Sequence, residues 1–167
     1  MIAVFSDTHS SGGHELEGEA LVAAREADAV VHAGDFTSVA ALEAFQRTCP
    51  VLFAVHGNAD SSAVRERLPT DRVVEEGGVR IAVTHRRNGG ETGLAMFGRS
   101  RDADVVVSGH THRPGLTKTE DVLLVNPGSH AQPRGNRPGF ALLEPTADGL
   151  AVRVLEPDGT LLERATA

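Results

Sequence analysis

The chain is 167 residues long and 40% hydrophobic, which suits one folded domain over 1–167 and excludes both a multidomain machine and a disordered polymer. Sixteen basic residues against 23 acidic ones leave a formal net charge of −7, an acidic surface that argues against binding long nucleic acid. No apolar run reaches the roughly 20 residues that span a bilayer, and the single cysteine, Cys49, can form no internal disulfide, so a cytoplasmic protein without membrane contact is expected.

In chain order, MIAVFSD lacks the basic start and long apolar stretch of a signal peptide. Ile2 to Phe5 reads instead as a strand running into Ser6-Asp7-Thr8-His9. Glu15 to Ala27, rich in Ala, Glu and Leu, predicts a helix. Ala29 to His32 is a buried-type strand stopped by Gly34-Asp35, and from Val39 the residues Val39, Leu42 and Phe45 recur at helical spacing. Val51 to Val55 is a third strand, stopped by Gly57-Asn58, and a short helix is expected over Ser62 to Leu68. Val73 to Val83 reads as two strands about Gly77-Gly78, the second entering His85. A helix near Thr92 to Arg101 precedes the strand Val105 to Val107, which ends in Ser108-Gly109-His110. Beyond it only strands are expected, at Leu116–Thr119, Val122–Val125, Phe140–Leu143 and Leu150–Leu155.

Alternation followed by strands predicts sheets covered by helices, the early strands parallel and buried on both faces. In such sheets ligands bind beyond the carboxyl ends of the strands. The polar residues obey that rule. Asp7 and His9 follow the first strand, Asp35 the second, Asn58 and Asp60 the third, His85 ends a later one, and His110 and His112 follow the last of the alternating part. All should meet at one sheet edge.

Carboxylate, amide and imidazole donors suit Mn, Fe, Zn, Ni or Co, and no thiolate set marks a structural zinc site. Seven candidates, Asp7, His9, Asp35, Asn58, His85, His110 and His112, exceed one open site and suit two ions. Two divalent ions can clamp the attacking and leaving oxygens of a phosphoryl displacement. A bridging carboxylate would give one oxygen to each. Gly34, Gly57 and Gly109 each precede a candidate donor and would let the backbone come close.

The series Asp7-Thr8-His9, Gly34-Asp35, Gly57-Asn58, His85 and Gly109-His110-Thr111-His112 resembles the calcineurin-like metallophosphoesterases. The short length and Asn126-Pro127-Gly128-Ser129 are most similar to the small archaeal and bacterial phosphodiesterases of that superfamily. The resemblance implies an α/β protein, a four-layer α/β/β/α sandwich of two mixed sheets. It implies a first ion held by Asp7, His9 and His112, a second by Asn58, His85 and His110, and Asp35 between them. Asp35, Asn58 and His110 would carry catalysis, with a water or hydroxide between the ions attacking phosphorus. The ions would be Mn²⁺, with Mg²⁺, Ni²⁺, Zn²⁺ or Fe as alternatives, and the substrate a small phosphate diester. A homo-oligomer is compatible with the family.

Two positions depart from the pattern. Many relatives carry a leaving-group-protonating histidine after the asparagine, where this chain has Ala59. The small group tends to lack it too, but loss of such an acid, worth roughly 10²–10⁴-fold, favours esters with good leaving groups. After His85, where relatives often have Gly-His, stand Arg86-Arg87-Asn88; Arg86 reads as a phosphate ligand or as a solvated loop charge.

Taken singly, Asp7 and Asp35 would be helix caps and the histidines loop residues. Five strand ends polar in this manner by accident is the less economical reading. Of the other histidines, His32 reads as core, His56 as a support or as packing, and His14 and His130 as surface or loop, with His130 a weak pocket candidate. Asp60 reads as a cap of the Ser62 helix or as a carboxylate bonded to a liganding imidazole, and Asn126 and Ser129 as a turn or as orienting the Gly109–His112 loop, the cap and the turn being preferred. The alternative to an enzyme is a protein-binding scaffold on the same fold, as in a trafficking subunit with degraded metal positions.

Overall fold

The computed structural model describes residues 1–147 and 149–167. In chain order the elements are β1 (Ile2–Phe5), α1 (Gly18–Glu26), β2 (Ala29–His32), α2 (Val39–Thr48), β3 (Leu52–Ala54), α3 (Ser62–Arg65), β4 (Asp71–Glu76), β5 (Val79–Thr84), α4 (Gly90–Arg99), β6 (Val105–Val107), β7 (Gly115–Lys118), β8 (Leu123–Asn126), β9 (Phe140–Thr146), β10 (Gly149–Leu155) and β11 (Leu161–Thr166). They form two mixed sheets, a six-stranded one ordered β11-β10-β9-β1-β2-β3 and a five-stranded one ordered β4-β5-β6-β8-β7. Within them β1, β2 and β3 run parallel, as do β5, β6 and β8, and the remaining pairs are antiparallel.

The two-residue side-chain period of a strand builds the layers. Ile2 and Val4 of β1, Ile81 and Val83 of β5, Val105 and Val107 of β6, and Leu123 and Val125 of β8 fill the core between the sheets. Their neighbours point the other way. Ala3 and Phe5 meet Ala20, Ala24, Leu42 and Phe45 of α1 and α2. Ala82, Val106 and Leu124 meet Ala95 and Phe97 of α4. The result is helix, sheet, sheet, helix, with the central strands β1, β2, β6 and β8 apolar on both faces.

Several boundaries differ from expectation for local reasons. Helix α1 starts at Gly18 rather than Glu15 because the preceding loop is tied back on itself. Ser10 Oγ accepts from the amides of Gly12 and Gly13 and donates to Glu15 Oε1, and Glu15 has a φ of 54°. Helix α3 is a single turn, capped by Ser61. Strand β11 had no expected counterpart; it is an exposed, charge-bearing edge whose alternation is weak. Cys49 is free and buried at the end of α2, its thiol pushed up to about 12 by burial. Among the described residues no helix is long and apolar enough to cross a membrane.

His32 is a core residue as expected. Its Nδ1 accepts from Gly34 N–H, so Nε2 carries the proton and donates to Thr8 Oγ1 at 2.9 Å. His130 lies in the loop between β8 and β9, as expected, but is buried there rather than at the surface, because Phe5 and Phe45 stack edge-on against it and its Nε2 donates to the His14 carbonyl. Burial pushes it down to about 4. Phe45 is the hub of this layer, with Phe5, Phe36, His32 and His130 within 6.1 Å between ring centroids. Phe45→Ala should therefore cost about 3–5 kcal/mol in urea unfolding; a loss below about 1 kcal/mol would show that this layer does not carry the fold.

Candidate metal centre

The polar strand ends converge, but not on one sheet edge. Asp7, His9, Asp35 and Asn58 leave the carboxyl ends of β1, β2 and β3, in the six-stranded sheet. His85, His110 and His112 leave β5 and β6, in the five-stranded sheet. The site therefore sits on the rim between the sheets and is closed across it. His85 Nδ1 donates to the Ala33 carbonyl at 2.8 Å, and the His110 amide donates to Asp7 Oδ2 at 2.9 Å.

The backbone turns there at a cost. Nine described residues other than glycine have positive φ, and five are candidate donors: Asp7, His9, Asp35, His110 and His112, with φ between 46° and 72°. Each left-handed residue costs of order 1–3 kcal/mol and persists only where its surroundings dictate it. The glycines match their expected use. Gly34 has a φ of 95°, and a methyl on Gly109 would stand 2.6 Å from Asp7 Oδ2. One on Gly57 would run into the Asp35 carboxylate.

Two groups of donors lie within 4.8 Å of one another: Asp7, His9 and His112, and Asp7, Asp35 and His85. His112 Nδ1 donates to the Gln132 carbonyl at 2.5 Å, which leaves the Nε2 lone pair 3.4 Å from Asp7 Oδ1. His85 Nε2 likewise faces Asp35 Oδ2 at 3.2 Å and Asn58 Oδ1 at 3.1 Å. Asp7 Oδ2 is engaged by Ser6 Oγ and His110 N, while Asp7 Oδ1 and His9 Nε2 are buried with no hydrogen-bond partner. Buried polar atoms are seldom left so. Lone pairs facing lone pairs, with orphaned oxygen and nitrogen among them, fit a divalent cation.

Asp35 Oδ1 accepts from Ala59 N–H at 2.8 Å. Only Oδ2 is open, and it faces His9 at 3.3 Å and His85 at 3.2 Å. A single oxygen thus takes the central place expected of two. His110 stands apart from both groups: it is exposed, with its ring 5.3 Å from that of His85.

The charges are mutually compensating. Asp35 and then Asp7 raise His9 to about 9. Burial works against a charged Asp35, but His85, His9 and the Ala59 amide outweigh it and hold the carboxyl well below its usual range. Burial also opposes a charged His85, yet the adjacent Asp35 leaves its pKa raised. His110 is lowered by burial, then by His85 and Arg86.

Three supporting residues act differently from their preferred readings. Asp60 does not cap α3, a task done by Ser61. Its carboxylate accepts from the amides of Asp35, Thr37 and Gly57 at 2.7 to 3.0 Å, fastening the Asp35 loop to the Asn58 loop. Asn126 donates to the Gly109 carbonyl and to Thr111 Oγ1, and Ser129 donates to the Asp7 carbonyl at 2.7 Å. Both orient donor loops rather than merely closing a turn. Arg65, unremarked in the sequence, donates to the Asp60 and Asn58 carbonyls. His56 makes a long 3.3 Å contact to the Gly57 carbonyl and meets Thr70 Oγ1, so it supports the loop. Arg87 turns away, onto Asp71 and the face of Phe97.

A rim of buried carboxylates and imidazoles between two sheets makes a candidate metal-binding site. The calcineurin-like phosphoesterase superfamily domain matches residues 1–148, and the chain belongs to that superfamily. It is 33% identical over 159 residues to a probable metallophosphoesterase of Methanothermobacter thermautotrophicus, covering 93% of this chain and 91% of that one. It is 28% identical over 138 residues to a phosphodiesterase of Methanocaldococcus jannaschii, covering 76% and 82%. Among solved structures, wild-type Vps29 of Entamoeba histolytica complexed with zinc aligns over 99% of this chain and 98% of its own, with 22% identity and a TM-score of 0.78. That last likeness shows the fold.

In the metal-free chain, His9 contributes stability that is whole below its unfolded pKa of 6.5 and lost as pH rises through about 9. The urea midpoint without metal should fall across that interval, and the fall should shrink in His9→Gln. An unchanged fall in the variant would dissociate His9 from the two carboxylates.

Proposed function

We propose that the whole chain, 1–167, is one metallophosphoesterase domain acting in the cytoplasm as a dinuclear phosphodiesterase on small phosphate diesters. The observation that carries this reading is the open Oδ2 of buried Asp35, facing His9 on one side and His85 on the other. Asp7, His9 and His112 would hold one ion, Asn58, His85 and His110 the other, and Asp35 both. The chemistry of the donors suits Mn²⁺ and its neighbours. When bound, such ions supply Lewis acidity toward phosphoryl oxygen and an acidified water.

The chain's own residues prepare that chemistry. Asp60 fixes the spacing of Asp35 and Asn58 through the backbone amides it gathers. Ser6 and the His110 amide aim Asp7 by occupying its second oxygen. Hydrogen bonds to the Ala33 and Gln132 carbonyls hold the protons of His85 and His112 on Nδ1 and leave Nε2 as a donor of electrons. His110, exposed at the mouth and lowered by burial and then by His85 and Arg86, would complete the donors of the second ion. Arg86, on the same rim, would add charge to the substrate side. Ala59 offers no proton donor, so activated esters should react best. The rival reading, a protein-binding scaffold, is favoured only by the likeness of fold to Vps29, whereas the retained set of seven donors favours an enzyme.

Purified protein with Mn²⁺ should hydrolyse bis(p-nitrophenyl) phosphate faster than the monoester and stop on chelation. Asp35→Asn should lower the rate more than Asn58→Ala at saturating Mn²⁺, beyond the roughly 10–100-fold typical of groups that merely support a metal site. Equal losses would refute the central place of Asp35, and an absence of metal-dependent hydrolysis of either ester would favour the scaffold.

A further inference from the structure

Beside the Asn58 and His85 side of the site opens a cleft of ≈ 240 Å³ whose wall carries two exposed guanidinium groups, those of Arg65 and Arg86. Eight of the thirteen other arginines are paired with carboxylates on this acidic protein: Arg47, Arg67, Arg80, Arg87, Arg99, Arg101, Arg137 and Arg153. Among the described residues, neither Arg65 nor Arg86 meets a carboxylate. Two unneutralised cations sharing one cleft repel each other, and an anion relieves that repulsion.

Arg65 is also fixed in place. Its Nε donates to the Asp60 carbonyl at 2.9 Å and its Nη2 to the Asn58 carbonyl. A guanidinium has five N–H donors, so two such bonds immobilise it and leave the rest of the fork for a ligand. Ordering cost is thereby met before binding. A planar fork suits the oxygens of a phosphoryl group better than a point charge does.

We infer that this cleft is an anion subsite for a second phosphoryl group, so that the preferred substrate is a phosphodiester carrying a further phosphate on one arm. The substrate assignment rests on the phosphodiesterase reading. In that reading the charge of the scissile phosphate is met by the ions at Asp7, Asp35 and the histidines, and two additional guanidinium groups exceed what a diester with neutral arms requires. Arg65, which holds the loop of Asn58, couples the occupied cleft to the donor set.

The test compares two p-nitrophenyl phosphodiesters with Mn²⁺, one with an ethyl arm and one with a 2-(phosphonooxy)ethyl arm. Preference for the phosphorylated arm in kcat/KM should reach about tenfold, shrink below about threefold in Arg86→Gln and return in part in Arg86→Lys. Arg86 makes no side-chain bond among the described residues, so these variants keep the fold. In parallel, inorganic phosphate is titrated into the metal-free protein while the Nε–H resonances of Arg65 and Arg86 are followed. Both should shift together and saturate, and the Arg65 shift should weaken in Arg86→Gln. Hydrolysis of the two esters at equal rates overturns the subsite and leaves the phosphodiesterase reading standing. Hydrolysis of neither ester, with saturable phosphate binding lost in Arg86→Gln, upholds the anion subsite and removes the phosphodiesterase reading. Hydrolysis of neither and no saturable shift overturns both.

Discussion

Two buried carboxylates, Asp7 and Asp35, must be neutralised for this rim to exist. In the metal-free protein the compensation comes from imidazoles, with His9 raised to about 9 by Asp35 and Asp7 and His85 raised by Asp35 despite its burial. Protons on those rings occupy the electrostatic role that divalent ions would take. Each proton is a competitor for a cation, so loading with metal must release protons. The strained backbone at Asp7, His9, Asp35, His110 and His112 belongs to the same constraint. Their left-handed turns aim lone pairs at each other, an arrangement with no stability of its own to recommend it.

The sandwich supplies what a single sheet could not. Parallel strands β1, β2 and β3 present carboxylates, an amide and the His9 imidazole, β5 and β6 present the other imidazoles, and the inter-sheet core of Ile2, Val4, Ile81, Val83, Val105 and Val107 sets their separation. Glycine at 34, 57 and 109 allows the loops to close to contact distance, and Asp60 and Ser129 pin them by backbone hydrogen bonds. Because the donors lie on the rim, the Asn58 and His85 side of the site opens to the flanking Arg65–Arg86 cleft. Two guanidinium groups thus share one cleft on a protein of formal net charge −7.

The strand-end positions of the donors were legible in the sequence because apolar runs stop abruptly at Asp, Asn or His, and the two-residue period made both faces of those runs readable as buried. The closing of the site across two sheets was not legible, since the rule that ligands gather at carboxyl ends treats one sheet at a time. The cap was preferred for Asp60, and the turn over loop orientation for Asn126 and Ser129, for a related reason. Their side chains bond to backbone 25, 17 and 122 positions away, and no local spacing encodes such a contact. His130 lies in a loop as expected, but its burial was not legible because Phe5 and Phe45, distant in sequence, impose it.

Anomalous scattering from a crystal soaked in Mn²⁺ tests the central proposal most directly. Two peaks about 3.5–4 Å apart are expected on either side of Asp35 Oδ2, one among Asp7, His9 and His112 and the other beside Asn58 and His85. A single peak, or none among these side chains at saturating Mn²⁺, would contradict a dinuclear centre.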